Sequence, residues 1–257
     1  MVGAFSAVNR NAGYAKEEEG LSMNILITGT SSGIGHGLAE EFAARGDKVW
    51  GISRRTPSDL KENAAYSHLQ VDLTDSGHVR RLLPDFIDGL RRLDLIVLNA
   101  GVLGEIKWMS ELDVDHMKQV MEINVWANKV LLDLLFIQVD QIKQVIAMST
   151  KASLRSSPGW GPYSISKAAL NMLMDVYAKE YTGTHFNAFA PGLIDSEIQE
   201  AIWQIEETDK YPTVKKLQNA RHTEAMPDPR TAAPHLIKGM QKALQYESGS
   251  FVDVREM

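Results

Sequence analysis

From Asn24 onward the chain alternates short apolar runs with longer stretches in which apolar residues recur at helical spacing. Asn24–Thr28 reads as a strand that stops at a Gly/Ser turn, and Gly35–Arg45 follows as a helix with Leu38, Ala39 and Phe42 on one face. Lys48–Ser53 reads as a second strand and His68–Val71 as a third, with a polar helix over Ser76–Arg91 after it. The almost wholly apolar Leu93–Asn99 is the fourth strand, as expected where both sheet faces are covered. Helical periodicity then spans Val114–Val139, Gln144–Ser149 is a fifth strand, a helix covers Pro162–Tyr181, and Thr184–Ala190 is a sixth strand. Ser196–Pro229 is polar and punctuated by prolines, with a helical patch near Glu197–Glu206; a helix over Thr231–Gln245 and a strand at Ser250–Val254 close the chain. Strands alternating with helices predict right-handed crossovers. The expected fold is therefore α/β: a single Rossmann-like, doubly wound parallel sheet of about seven strands with helices on both faces. It would occupy residues 23–257, with 1–22 as a poorly packed extension and Met23 as a natural start.

Composition narrows the function classes. With 44% hydrophobic and 23% charged residues among 257, the chain can bury a substantial core. The net charge of −6 and the lack of a long basic run disfavour a nucleic-acid surface. Zero cysteines exclude disulfides, thiolate nucleophiles and Cys-ligated metals, and fit a cytoplasmic protein. No two of the seven histidines are three or four residues apart, so no metal site is expected. No apolar run is long enough for a membrane span, and Met1–Ser22 lacks the apolar core of a secretory signal.

The remaining candidates lie where strands end, which is where parallel sheets bind ligands. Thr28-Gly-Thr-Ser-Ser-Gly-Ile-Gly35 joins a strand to a helix, and its glycines let backbone amides approach a pyrophosphate at a helix N-terminus. Its spacing differs from both the common dinucleotide fingerprint and the P-loop. Tyr163 and Lys167, four apart, share a helix face, and an ammonium beside a phenol favours the phenolate. The same spacing recurs at Tyr211 and Lys215, where Pro212 and a polar context read as solvated side chains. Thirteen residues before Tyr163 stands Thr150, with Ser149 beside it; thirteen before Tyr211 stands Ile198, which has no hydroxyl. Asn124, taken alone, reads as an ordinary amide within a helix.

Together these residues resemble the short-chain dehydrogenase/reductase family over about Met23–Met257. The turn matches its Thr-Gly-x-x-x-Gly-x-Gly, Asp72 in Val-Asp-Leu-Thr its adenine-contacting acid, and Asn99-Ala-Gly101 its Asn-Ala-Gly. Leu98 stands where many members have another Asn. Pro191-Gly-Leu-Ile-Asp-Ser196 matches a Pro-Gly motif whose final hydroxyl meets the nicotinamide carboxamide, and the tail and the loop 227–233 resemble the benzil and sepiapterin reductase branch. The resemblance implies an oxidoreductase that moves hydride between NADP(H) and a small carbonyl or alcohol. Its cofactor residues would be Gly29, Thr30, Ser31, Ser32, Gly33, Ile34 and Gly35, with Ser53, Arg54 and Arg55, then Asp72 and Leu73. Asn99, Ala100, Gly101, Tyr163, Lys167, Pro191, Gly192, Ile194 and Ser196 complete that set.

The catalytic positions implied are Asn124, Thr150, Tyr163 and Lys167. Tyr163 would exchange the proton, Lys167 lower its pKa and bind the nicotinamide ribose, Thr150 polarise the carbonyl, and Asn124 hold a water. Thr150 stands where the family usually has serine; Ser149 would substitute if the strand end shifted by one residue. That departure also leaves open a nucleotide sensor or scaffold with little turnover. Ser53 where an NAD-selecting acid would stand, with Arg54 and Arg55 following, favours NADP(H) over NAD(H), Arg54 being the main contact. Trp108, Trp160 and Trp203 are candidates to line the substrate pocket. Apolar residues on the long helices suggest a homodimer or homotetramer.

Overall fold

The computed structural model describes residues 22–257; the expectation for an N-terminal extension lies outside the described residues except at Ser22. The strands are β1 (Asn24–Thr28), β2 (Lys48–Ser53), β3 (Tyr66–Gln70), β4 (Arg92–Leu93), β5 (Leu95–Leu98), β6 (Gln141–Ile142), β7 (Gln144–Met148), β8 (His185–Ala190) and β9 (Phe251–Asp253). The helices are α1 (Gly33–Ala44), α2 (Ser76–Phe86), α3 (Val114–Met121), α4 (Ala127–Gln138), α5 (Gly161–Glu180), α6 (Glu197–Trp203), α7 (Pro212–Ala220) and α8 (Pro229–Ala243). Seven strands form one parallel sheet in the order β3-β2-β1-β5-β7-β8-β9. The chain winds outward from β1 in one direction and from β5 in the other, so a crevice opens beyond the ends of these two strands.

Both faces of the sheet are covered, which explains the continuous apolar runs. On one face Leu26, Ile96 and Val145 pack with Leu131 and Leu135 of α4 and Leu170 and Met174 of α5. On the other, Ile25, Ile27 and Val97 meet Leu38 and Phe42 of α1 and Leu236 and Met240 of α8. Asp228 caps α8 by accepting from the amides of Arg230 and Thr231, both at 3.0 Å, and Asp75 caps α2 through the His78 amide at 2.9 Å.

Five expectations need correction. The helix predicted to reach Arg91 ends at Phe86, because Pro84 interrupts its bonding and Gly89 follows with φ +75°. The strand predicted over Leu93–Asn99 is broken at Asp94, whose carboxylate accepts from the Asn24 amide at 2.9 Å; Arg92–Leu93 pair separately with Gln141–Ile142. The helix predicted over Val114–Val139 contains a π turn at Glu122–Trp126 between α3 and α4. Helix α7 was not expected. It starts with Pro212 and buries Val214, and Tyr211 just before it is a core residue, 1% exposed, packed with Trp160, Ile202 and Leu103. The reading of Tyr211 as a solvated side chain is therefore wrong, although Lys215 is exposed and pairs with Asp209 at 3.1 Å.

Candidate active site

At the end of β1 the chain turns through Gly29 (φ +74°) and Gly33 (φ +58°), conformations that side chains other than glycine resist. The turn lies hard against the end of β5. The Asn99 side chain donates to Thr28 O at 2.9 Å, while the amides of Asn99 and Ala100 donate to the Thr28 hydroxyl at 2.9 and 3.0 Å. A Cβ on Gly35 would lie 2.4 Å from both Asn99 Nδ2 and Gly29 O, so the close approach of helix, turn and strand requires glycine there. The Ser32 N-cap makes no side-chain bond and the first turn of α1 holds no acidic residue, which leaves its opening amides for an anion.

A cleft of about 500 Å³ follows from this geometry. Gly29, Ser31, Ser32, Gly33 and Ile34 form its floor, and Asn99, Ala100 and Gly101 its middle. Ser53, Arg54, Arg55, Asp72 and Leu73 line the far end. Ser53 is buried and donates to Arg55 O at 2.8 Å; Asp72 is exposed and accepts from the Thr74 amide at 2.9 Å. Arg55 reaches across to Glu197 of α6 at 3.0 Å, whereas the exposed Arg54 has no acidic partner among the described residues. Seven of the predicted cofactor residues do not line this cleft: Gly35, Thr30, Tyr163, Lys167, Pro191, Gly192 and Ile194. Gly35 packs beneath it, and Thr30 is wholly buried with its hydroxyl 2.8 Å from Tyr66 Oη. His116, Gln119, Val120 and Ile123 line the cleft and were missed; they come from α3 and the π turn, too far along the chain to be signalled by the Asn-Ala-Gly motif.

A second cavity of about 680 Å³ adjoins the first, sharing Ile34, Ser196 and Ile198 with it. Thr150, Tyr163, Pro191, Gly192 and Ile194 line it, together with Trp160. Of the two candidate hydroxyls, Ser149 is buried and donates to Asn171 Oδ1 at 2.6 Å. Thr150 is less buried and its hydroxyl accepts only a 3.2 Å bond from the Ala152 amide. Trp108 and Trp203 do not line the cavity; Trp203 instead carries Arg221 over its ring at 5.6 Å. Arg155 and Lys216 do, within the segments 154–161 and 193–227 expected to contact substrate, and so do Lys151, Arg255 and Glu256, of which the sequence gave no sign.

Lys167 lines neither cavity directly. It is buried, donates to Met148 O at 2.8 Å, and its Nζ stands 5.8 Å from the centre of the Tyr163 ring. Gly101 marks where its ammonium and Asn124 meet: a Cβ there would be 3.3 Å from Lys167 Nζ and 2.9 Å from Asn124 Oδ1. Burial pulls Lys167 down to about 8 and pushes Tyr163 up to about 12. Thus the phenol is not lowered by its lysine in the protein alone; loss of solvation governs both groups.

Asn124 lies in the π turn, wholly buried. Its Oδ1 accepts from the Val102 amide at 2.8 Å, and its Nδ2 donates to Val102 O and to Ser166 Oγ, each at 2.9 Å. Its main-chain carbonyl accepts from Asn128 Nδ2 at 2.9 Å. Both side-chain N–H groups are committed to protein, so the expected water is not one that this amide donates to. Outside the cavities, His36 lies 3.0 Å from Asp59 and 3.5 Å from Glu40, which also pairs with Arg230.

The fold and paired cavities define an α/β protein with a crevice beyond the strand ends and titratable groups beside it. The sequence profile of the short chain dehydrogenase family matches residues 23–207, more than half of the chain, and the protein belongs to that family of nicotinamide-dependent oxidoreductases. It is 30% identical to sepiapterin reductase of Mus musculus over 92% of this chain and 98% of the relative. It is 26% identical to a benzil reductase, (S)-benzoin forming, of Bacillus subtilis over 90% and 98%. A solved short chain dehydrogenase/reductase of Saccharomyces cerevisiae shares the fold with a TM-score of 0.80 at 24% identity, covering 91% of this chain and 96% of that one. Among the described residues no helix is long and apolar enough to cross a membrane.

Proposed function

We propose that the protein is an NADP(H)-dependent carbonyl reductase. The observation that carries this reading is the meeting of Tyr163 and Thr150 in one cavity that opens onto the cleft, with Lys167 buried behind the tyrosine ring. The cleft suits the cofactor: glycines permit close backbone approach, unpaired amides open α1, and Arg54 stands without a carboxylate at the 2′-phosphate end. When bound, NADPH supplies the hydride. Tyr163, pushed up to about 12 by burial, holds its proton at neutral pH and gives it to the substrate oxygen. Thr150 donates a hydrogen bond to that oxygen. Lys167, still cationic at neutral pH, steadies the phenolate left behind, and its Nζ, close behind Gly101 of the cleft, would be the group to reach the cofactor's ribose. Asn124 ties Val102, and so the cleft wall at Gly101, to the π turn and to α5.

Two relatives are named as reductases of sepiapterin and benzil, which supports a bulky ketone or diketone as substrate. Trp160 and Ile202 supply an apolar wall for it. Exposed Ile137 on α4 and Met172 and Val176 on α5 favour a homodimer through these helices, which sedimentation equilibrium reads directly; a monomer at all concentrations would reject it. Titration of NADPH and NADH tests the cofactor assignment. Arg54→Ala should weaken NADPH by about ten- to a hundredfold, the loss of a charge-assisted contact worth about 1.5–3 kcal/mol. Equal affinities for both cofactors in the unaltered protein, or unchanged NADPH affinity in the variant, would reject it.

A further inference from the structure

The substrate cavity carries more positive charge than its own carboxylates balance. Lys151 pairs with Glu256 at 2.6 Å and with Asp253 at 3.3 Å, and Arg255 pairs with Asp253 at 2.6 Å. Those two cations and two carboxylates neutralise one another. Arg155 and Lys216 line the same cavity, and among the described residues neither side chain has an acidic or hydrogen-bonding partner. Other cations among the described residues are also without a partner, Arg54 among them; what sets Arg155 and Lys216 apart is that both line one cavity.

The two free cations come from different segments, and those segments are fastened together. Thr213 on α7 donates to Ser157 Oγ at 2.9 Å. Arg155 stands two residues before that serine, and Lys216 stands three residues beyond that threonine, so the bond fastens together the two segments that carry these cations. Tyr163 and Trp160 lie on the wall of the same space. Both side chains are exposed, and a guanidinium and an ammonium without counter-ions on the lining of one cavity form a receptor for an oxyanion.

We propose that the physiological substrate bears an oxyanionic group as well as its carbonyl, and that Arg155 and Lys216 hold that group. This rests on the reading of the cavity as the site of carbonyl reduction and names the substrate class within it. The carbonyl would face Tyr163 and Thr150 while the anion lies towards α7.

The test uses keto acids with the carboxylate one to four carbons from the carbonyl, each beside its methyl ester, and a parallel series of keto phosphonates beside their diesters. For at least one spacing, kcat/KM for the anion should exceed that of its neutral ester by tenfold or more. The preference should collapse at least tenfold in Arg155→Gln/Lys216→Gln and be retained in Arg155→Lys/Lys216→Arg. Calorimetry with the hydroxy acid or hydroxy phosphonate of the best-fitting spacing supplies a readout independent of turnover. Binding should weaken at least tenfold in the Gln/Gln protein and with added salt. Neutral esters preferred at every spacing in both series, or anion binding unchanged in the Gln/Gln protein, would overturn the proposal. If no carbonyl compound is reduced at all, the reductase reading fails instead, and calorimetry with both anion series at every spacing still decides whether the anion site exists.

Discussion

Replacing Asn124 with alanine tests whether that residue is structural cement for the site. The side chain is wholly buried and makes three hydrogen bonds, two of them to the amide and carbonyl of Val102. Without it, both Val102 groups lose their partners, whereas Ser166 keeps its bond to Tyr163 O at 2.8 Å. Each backbone group left unpaired costs about 1–3 kcal/mol, and partial access of water at the exposed Val102 holds the sum near the lower end, at about 3 kcal/mol. At roughly 2–4 °C per kcal/mol for a chain of this size, the melting temperature should fall by roughly 6–12 °C. Differential scanning calorimetry reads this directly, and NADPH binding should weaken with it because Gly101 and Val102 line the cleft. Asn124→Asp should be no better, since it keeps the acceptor for the Val102 amide but sets a carboxylate against the Val102 carbonyl. A fall of less than about 2 °C in the alanine variant would refute the reasoning and show that water replaces the amide at no cost.

Three further outcomes follow from the same geometry. Thr150→Ser should keep activity and Thr150→Ala should lower kcat by about two to three orders of magnitude, a usual cost for a lost positioned donor. Ser149→Ala, which removes the bond to Asn171, should lower the melting temperature more than kcat; the reverse pattern would show that Ser149 is the working hydroxyl. Burial holds folded Lys167 at about 8, below its ordinary 10.5, so the unfolded chain binds more protons between these values and stability rises with pH in that window. Below pH 8 the penalty is present in full. The advantage in melting temperature of Lys167→Met over the unaltered protein should therefore shrink between about pH 7.5 and 10, and a constant difference would contradict the burial argument.

The fold was legible because a parallel sheet covered on both faces writes its strands as continuous apolar runs, as in Leu95–Leu98 and Val145–Met148. The glycine turn was legible because Gly29, Gly33 and Gly35 fall within one short stretch of chain, although the atoms that crowd them include Asn99, Ala100 and Ser196 from distant segments. Features made by distant segments were not. Tyr211 looked solvated because Pro212 and its polar neighbours hid the apolar pocket that Trp160 and Ile202 build around it. Arg155, Lys216 and the C-terminal charges reach one cavity only through the packing of α7 and the chain end, and no local spacing records that. Likewise the Tyr163–Lys167 spacing predicted their proximity but not their desolvation, which sets the direction of both pKa values.

Proton donation by Tyr163 during NADPH-dependent carbonyl reduction is open to direct test. The direct measurement is the loss of nicotinamide absorbance with benzil for the unaltered protein and Tyr163→Phe, alongside NADPH binding by fluorescence. The account predicts turnover in the first, loss of more than nine-tenths of kcat in the second, and nearly equal NADPH affinity in both. A variant that keeps more than a tenth of kcat would contradict it.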